Sequence, residues 1–354
     1  MTQTAIAWSG LPCYGARLIR AGVERLGEPV AVLGTPPDVP AQGMDAIVGQ
    51  PVRWVGSRDV VTWRSLGLPV PQTFFFTGWS EPVFMRLAHE VRDAGGTTIG
   101  MIDNNLRGTW RQALGAVYFR LRLRGLYDYF WVPGQSGARL AAKLGMPRDR
   151  VATGLYSADT FVFQKSPGIT SRPRRFLFVG QFIERKNVQL LCAAFLQAFG
   201  DSSDPPQLLL VGSGPLRDRL PSHPSITIED FAPPDRIREW MTTSRWFVLP
   251  SKHEHWGLVV HEAVLSGCML VLSSAVGAIG EFATAANSRV VPTDDSCALA
   301  SAFRELAALP DAALDAGHRE SLAVAKRRSV EQWAETFVSF SRGSGVPDPA
   351  RPPA

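Results

Sequence analysis

No run of about 20 apolar residues occurs in this 354-residue chain, so no segment is expected to cross a bilayer as a helix. Cysteine is scarce: Cys13, Cys192, Cys268 and Cys297 stand alone, with no Cys-x-x-Cys pair. Scattered cysteines in apolar contexts argue against a structural zinc and for a reducing compartment. The first residues, MTQTAIAWSGL, lack the basic start and long apolar core of a secretory signal. The expected location is therefore the cytoplasm, either free or held peripherally at the inner membrane face. Internal repeats are missing. Acidic residues are missing too from the stretch between Arg107 and Arg124.

What is present suits two domains. The length corresponds to roughly two units of 150–200 residues. An apolar content of 45% is ample for two cores, and the net charge of +5 is a mild basic excess. That excess fits a negatively charged ligand, an anionic surface or ordinary solvation. Short apolar runs at 5–8, 29–33, 46–48, 52–54, 73–76, 97–102 and 129–133 read as strands. Helical periodicity appears at 16–25, 82–93 and 136–144 between them. The alternation resumes with strands at 175–180, 207–211, 226–228, 246–250, 269–273 and 290–291, and helices at 188–199, 234–242, 297–306 and 330–340. Alternating strands and helices point to an α/β chain with parallel sheets. A linker is expected at 164–173, and residues 343–354, rich in Pro and Gly, are expected to be a disordered tail.

The chain is organised around residues 249–281, LPSKHEHWGLVVHEAVLSGCMLVLSSAVGAIGE. This reads as the end of a buried strand, a polar turn, a short helix, a second buried strand and a Gly-punctuated loop. Ligands of open α/β sheets bind at the carboxyl edge to which such a turn is delivered. Gly257 lets backbone approach a ligand closely. The free amides of the helix that follows, near residues 258–260, suit an anion such as a diphosphate. Glu254 and Glu262 flank that helix start, and carboxylates there can accept hydrogen bonds from sugar hydroxyls. The combination suits a nucleotide sugar. His253, His255 and His261 cluster nearby, but Leu265 stands where H-E-x-x-H needs its second histidine, so no metal site is expected.

Glu-x7-Glu within PSxxExxGLVxxEAxxxGxxxVxS resembles the signature of retaining glycosyltransferases of family 4, which have the GT-B fold. The resemblance implies two Rossmann-like domains facing each other across a cleft: residues 1–165 as an acceptor domain, joined by a crossing helix at about 330–341, and residues 174–329 as a nucleotide-sugar domain. It implies Glu254 at the donor sugar hydroxyls, Glu262 at the ribose, and Gly257, Leu258 and Val259 at the diphosphate. The loop GQFIERKN resembles the family's phosphate loop, which brings in Gly180, Gln181, Arg185 and Lys186 as donor-binding residues. Gln181 stands where the family has an arginine. Gly212 matches a loop lining the nucleotide pocket, and Glu281 an acid of a glycine-rich loop. Gly10, beside Tyr14, matches the first βα loop, although the usual paired glycines are missing. Asp103 matches a polar position that contacts donor or acceptor, without the histidine that commonly precedes it. For Asp103 the competing reading is a capping Asx turn.

The implied reaction moves a hexose from a nucleotide diphosphate sugar to a hydroxyl acceptor, a glycan, glycolipid or small molecule. It needs no cofactor or metal beyond that co-substrate, and surface-polysaccharide or lipid-linked glycan assembly is the expected setting. Two other readings remain. Gln181 and the missing histidine suit an inactive nucleotide-sugar-binding protein of the same fold. The Gly212-x-Gly214 turn would suit a dinucleotide-dependent oxidoreductase, but the third glycine and the downstream acid are missing. Arginines 107, 111, 120, 122 and 124 interleave with Trp110, Tyr118 and Phe119, a pattern compatible with an anionic membrane surface, with an acidic glycan acceptor or with a solvated helix face. Without a binding motif, nucleic acid is not expected as a partner.

Overall fold

The computed structural model describes residues 3–37, 43–79, 81–106, 108–163 and 167–347. The chain divides into two compact units, residues 1–157 with 328–354, and residues 158–327. The first unit runs β1 (Thr4–Trp8), α1 (Cys13–Leu26), β2 (Val30–Gly34), α2 (Met44–Val48), β3 (Val52–Trp54), β4 (Thr73–Thr77), α3 (Pro82–Asp93), β5 (Thr97–Met101), α4 (Trp110–Tyr118), β6 (Tyr129–Val132), α5 (Gln135–Lys143) and β7 (Val151–Thr153). Its strands form one parallel sheet in the order β3-β2-β1-β4-β5-β6-β7. The run Phe74-Phe75-Phe76 is buried throughout, as expected of a parallel strand covered on both faces. Phe74 stacks on Phe76 on one face, with Trp63 against Phe74.

The second unit runs α6 (Thr160–Phe163), β8 (Arg175–Val179), α7 (Val188–Phe199), β9 (Gln207–Val211), β10 (Ile226–Glu229), α8 (Pro234–Thr242), β11 (Trp246–Leu249), α9 (Leu258–Leu265), β12 (Met269–Ser273), α10 (Ile279–Phe282), β13 (Ser288–Val291), α11 (Ser296–Ala307) and α12 (Asp311–Ala325). Its sheet is again parallel, in the order β10-β9-β8-β11-β12-β13. The expected pair of Rossmann-like α/β domains is therefore present. The chain then returns to the first unit as α13 (Val330–Ser341), which packs on α1. Trp333 stacks on Trp131 and Phe337 on Phe75. Gly22 of α1 makes this possible, because a Cβ there would lie 2.8 Å from both Phe337 and Trp333.

Three local expectations change. Residues 46–48 are not a strand but part of α2: Gly43 and Gly49, both with positive φ, bracket a single helical turn. Three apolar residues are too few for periodicity to separate the two. The units divide at 157–158 rather than within 164–173, since the Ala158 amide donates to His261 Nδ1 at 3.0 Å and α6 packs on α8 and α9. Residues 164–166 of the expected linker and 348–354 of the expected tail lie outside the described residues. Residues 343–347 of that tail are described, and the Gly345 carbonyl accepts from Ser339 Oγ at 2.9 Å.

Strand order reverses once in each sheet, where β4 sits beside β1 and where β11 sits beside β8. Loops diverge at the carboxyl edge at such points and leave a crevice. Among the described residues no helix is long and apolar enough to cross a membrane.

Candidate functional site

In the second unit the switch point joins the loops after β8 and β11. The β8 loop closes in a short turn, Glu184–Lys186, held to the β11 loop by the Lys252 amide donating to the Arg185 carbonyl at 2.8 Å. Arg185 Nη1 donates to the His253 carbonyl at 3.0 Å and to Glu254 Oε2 at 3.2 Å. Lys186 Nζ donates to the same carboxylate oxygen. Ser251 Oγ is 3.4 Å from it. Glu254 is thus ringed by donors. Burial alone would raise its pKa, but Lys186, then Arg185, hold it below the ordinary carboxylate value. Its backbone is fixed as well: the amide donates to Ala275 O and the carbonyl accepts from the Gly277 amide, both at 3.1 Å. The sequence marked Glu254, Arg185 and Lys186 separately; the fold makes them one cluster.

Gly257 has φ +89, and a Cβ there would press on Glu254 Cγ and Leu249 at 3.2 Å. Glycine therefore serves both the left-handed turn and the passage of the Glu254 side chain. The helix start is narrower than expected, because the Val260 amide donates to the Gly257 carbonyl at 2.9 Å. That leaves Leu258 and Val259, both half-buried, as the two amides without an acceptor among the described residues. Gly180 sits under the Lys186 stem, and its amide donates to Val211 O at 3.0 Å. Gln181 is exposed. Gly212 has φ +150, and a Cβ there would fall 2.0 Å from the Gly180 carbonyl. The Gly212-x-Gly214 pair therefore serves close backbone packing between the β8 and β9 loops, which removes the argument for a dinucleotide turn.

Glu262 differs from Glu254. It lies on α9, half-buried, and its carboxylate makes no side-chain hydrogen bond among the described residues. Burial, then the charge of Asp159, raise its pKa to about 7. His261, on the same helix, is fully buried. Its Nδ1 accepts from the Ala158 amide and its Nε2 lies 3.0 Å from the Ala325 carbonyl, so it ties both ends of the unit to α9. The rings of His253 and His255 meet edge to face at 4.5 Å. Among the described residues no His, Cys, Asp and Glu group is arranged to hold a metal ion.

The first unit has a cavity of about 360 Å³ at its own switch point, beyond the carboxyl ends of β1, β4 and β5. Gly10, with φ +54, is in its wall, and its amide donates to Thr35 Oγ1 at 2.7 Å. Asp103 is there too, accepting from the Tyr156 hydroxyl at 3.3 Å. Tyr14 and Tyr156 meet edge to face at 5.7 Å and each packs on Trp8. Burial, then neighbouring charge, raise both phenol pKa values, so the two rings remain neutral donors. Asp103 thus meets the Tyr156 hydroxyl at the wall of the cavity. Trp8, Trp79 and Tyr156 were not singled out from the sequence. The aromatic residues around Gly10 were the available signal, but nothing in a linear reading joins position 8 to position 156.

Residues 173–308 match the family model described as glycosyl transferases group 1. A segment of the chain is 26% identical over 122 residues to an uncharacterized glycosyltransferase of Methanocaldococcus jannaschii. That match spans 32% of this chain and 31% of the relative, so this chain aligns with about a third of that protein. Similar solved structures include HepE of Anabaena in complex with UDP and glucose, at 14% identity and a TM-score of 0.73, covering 96% of this chain and 99% of that one. A glycosyltransferase of Rickettsia africae gives a TM-score of 0.73 at 10% identity, covering 97% and 99%. Sucrose-phosphate synthase of Thermosynechococcus elongatus gives 0.72 at 15% identity, covering 96% and 99%. The chain is thus similar to glycosyltransferases in its second unit by sequence, and it has the GT-B fold class over nearly its whole length.

Proposed function

We propose that the protein is a retaining glycosyltransferase that moves a hexose from a nucleotide diphosphate sugar to a hydroxyl acceptor. The observation that carries this is the cluster of Lys186, Arg185 and Glu254 beside the amides of Leu258 and Val259, which have no acceptor among the described residues. It offers two cations and a helix start to a diphosphate, and a fixed carboxylate to sugar hydroxyls. In this reading Lys186 and Arg185 turn to the leaving diphosphate, so the charge that develops there is balanced without a metal ion. Glu254, released from them, accepts hydrogen bonds from the hexose, and Glu262 accepts them from the ribose. The bond from the anomeric carbon to the diphosphate breaks and the acceptor oxygen bonds on the same face. The acceptor proton passes to the departing phosphate oxygen.

The cavity at Gly10, Tyr14 and Asp103 is the acceptor or sugar-contacting site of this reading. Its aromatic walls suit the apolar faces of a sugar ring, and Asp103 a hydroxyl. Work in the cytoplasm, in surface-polysaccharide or lipid-linked glycan assembly, fits the reading. The test is a thermal-shift panel of UDP-, GDP-, ADP- and dTDP-sugars on wild type and on Glu262→Gln. One nucleotide class should raise the melting temperature of wild type and do so less in the variant. A response to NAD or NADP alone would overturn the reading. A shift without turnover on any acceptor would favour an inactive binding protein, which the exposed Gln181 keeps in view.

A further inference from the structure

Helix α4 and the turn after it, Phe119–Leu123, are mounted with their apolar side outward. Ala116 and Phe119 are buried, and Phe119 is wedged against Trp79, Tyr127 and Phe130. Gln112 is anchored by its side-chain amide donating to Asn105 O at 2.8 Å. Those residues fall on one side of the helix at positions i, i+4 and i+7. The opposite side carries Trp110, Leu114, Val117, Tyr118 and Leu121, which are 69%, 62%, 55%, 59% and 77% exposed. Five large apolar side chains on one short ridge are far from the scattered exposure of an ordinary surface.

The charges beside this ridge have one sign. Arg111, Arg120 and Arg122 are all exposed, and Arg111 lies 5.5 Å over the Trp110 ring. Arg120 runs along Gly145, and Arg124 is held by the carbonyls of Gly145 and Tyr127. No acid occurs between Asp103 and Asp128. Arg107, the fifth arginine of the stretch, lies outside the described residues. A helix with an apolar crest, a tryptophan and a tyrosine on it and cations at its flanks has the composition that settles into the boundary between headgroups and acyl chains. Anionic headgroups complement the arginines.

We infer that the ridge Trp110–Leu114–Val117–Tyr118–Leu121 is a docking surface for an anionic lipid bilayer, on which the protein rests without spanning it. The full chain is tested by flotation with phosphatidylcholine vesicles, with and without phosphatidylglycerol. Wild type should float with the anionic vesicles and much less with the neutral ones, and added salt should weaken the binding. Trp110→Ser/Leu114→Ser/Leu121→Ser should weaken it by ~10-fold or more, with an unchanged melting temperature, because these side chains are outside the core. Arg111→Gln/Arg122→Gln should lose most of the preference for anionic vesicles and keep a residual apolar affinity. Equal flotation of wild type and the triple variant would overturn the proposal. So would a wild-type dimer in solution that the triple variant abolishes while neither protein binds vesicles.

Discussion

The two units put different chemistry at the same topological place. Each sheet reverses its strand order once, and each has side chains gathered at the carboxyl edge there. In the second unit these are ions held against one another: Glu254 between Lys186 and Arg185. In the first they are neutral and aromatic, around an open cavity of about 360 Å³ where the carboxylate of Asp103 is tied to Tyr156. The ion cluster of the second unit suits an anion, which can take the place of a carboxylate between two cations. The cavity of the first unit suits a polyol, which offers hydroxyls and apolar faces but no charge. The fold supplies the crevice, and a few loop residues decide what it accepts.

The contrast can be tested from the strongest effect downward. Lys186→Ala removes the cation most tightly joined to Glu254, and turnover should fall ~100-fold or more, chiefly in kcat. Wild-type kcat in that variant would mean that the diphosphate is balanced elsewhere. Asp103→Asn keeps the shape of the cavity and removes its charge; KM for the acceptor should rise ~10-fold while the thermal shift from the nucleotide sugar stays as in wild type. If the nucleotide shift disappears as well, the two regions do not divide the substrates as proposed.

The smallest effect concerns pH. The Glu262 pKa rises to about 7, so the folded unit takes up a proton that the unfolded chain has already released. Stability from this group is present below the unfolded value of about 4.3 and is lost as pH rises to about 7. Glu262→Gln should thus gain on wild type by a few degrees in melting temperature between about pH 5 and pH 7, and no further above that. A difference that does not vary with pH would place the Glu262 carboxylate in water.

How much of this was legible beforehand depends on distance along the chain. Glu254, Gly257 and Glu262 lie within one strand–turn–helix passage, where pattern and backbone geometry determine each other. The union of Lys186 with Glu254 was not legible as geometry, because it depends on β8 lying beside β11. The cavity was less legible still, since Trp8 and Thr77 end two strands and Asp103 and Tyr156 lie on two further loops. Residues 46–48 misled because a single helical turn between two glycines carries the same apolar letters as a short strand. The ties of His261 were not legible either, because its partners, Ala158 and Ala325, lie 103 and 64 positions away along the chain.

Helix α13 has a consequence for the order of folding. The second unit is one uninterrupted stretch, residues 158–327, so it can complete its core as soon as that stretch has been synthesised. The first unit cannot. Trp333 and Phe337 cover Trp131 and Phe75, and these residues are made only after the whole second unit. Until then the sheet between α1 and Phe75 faces water, and the unit synthesised first is the last to close.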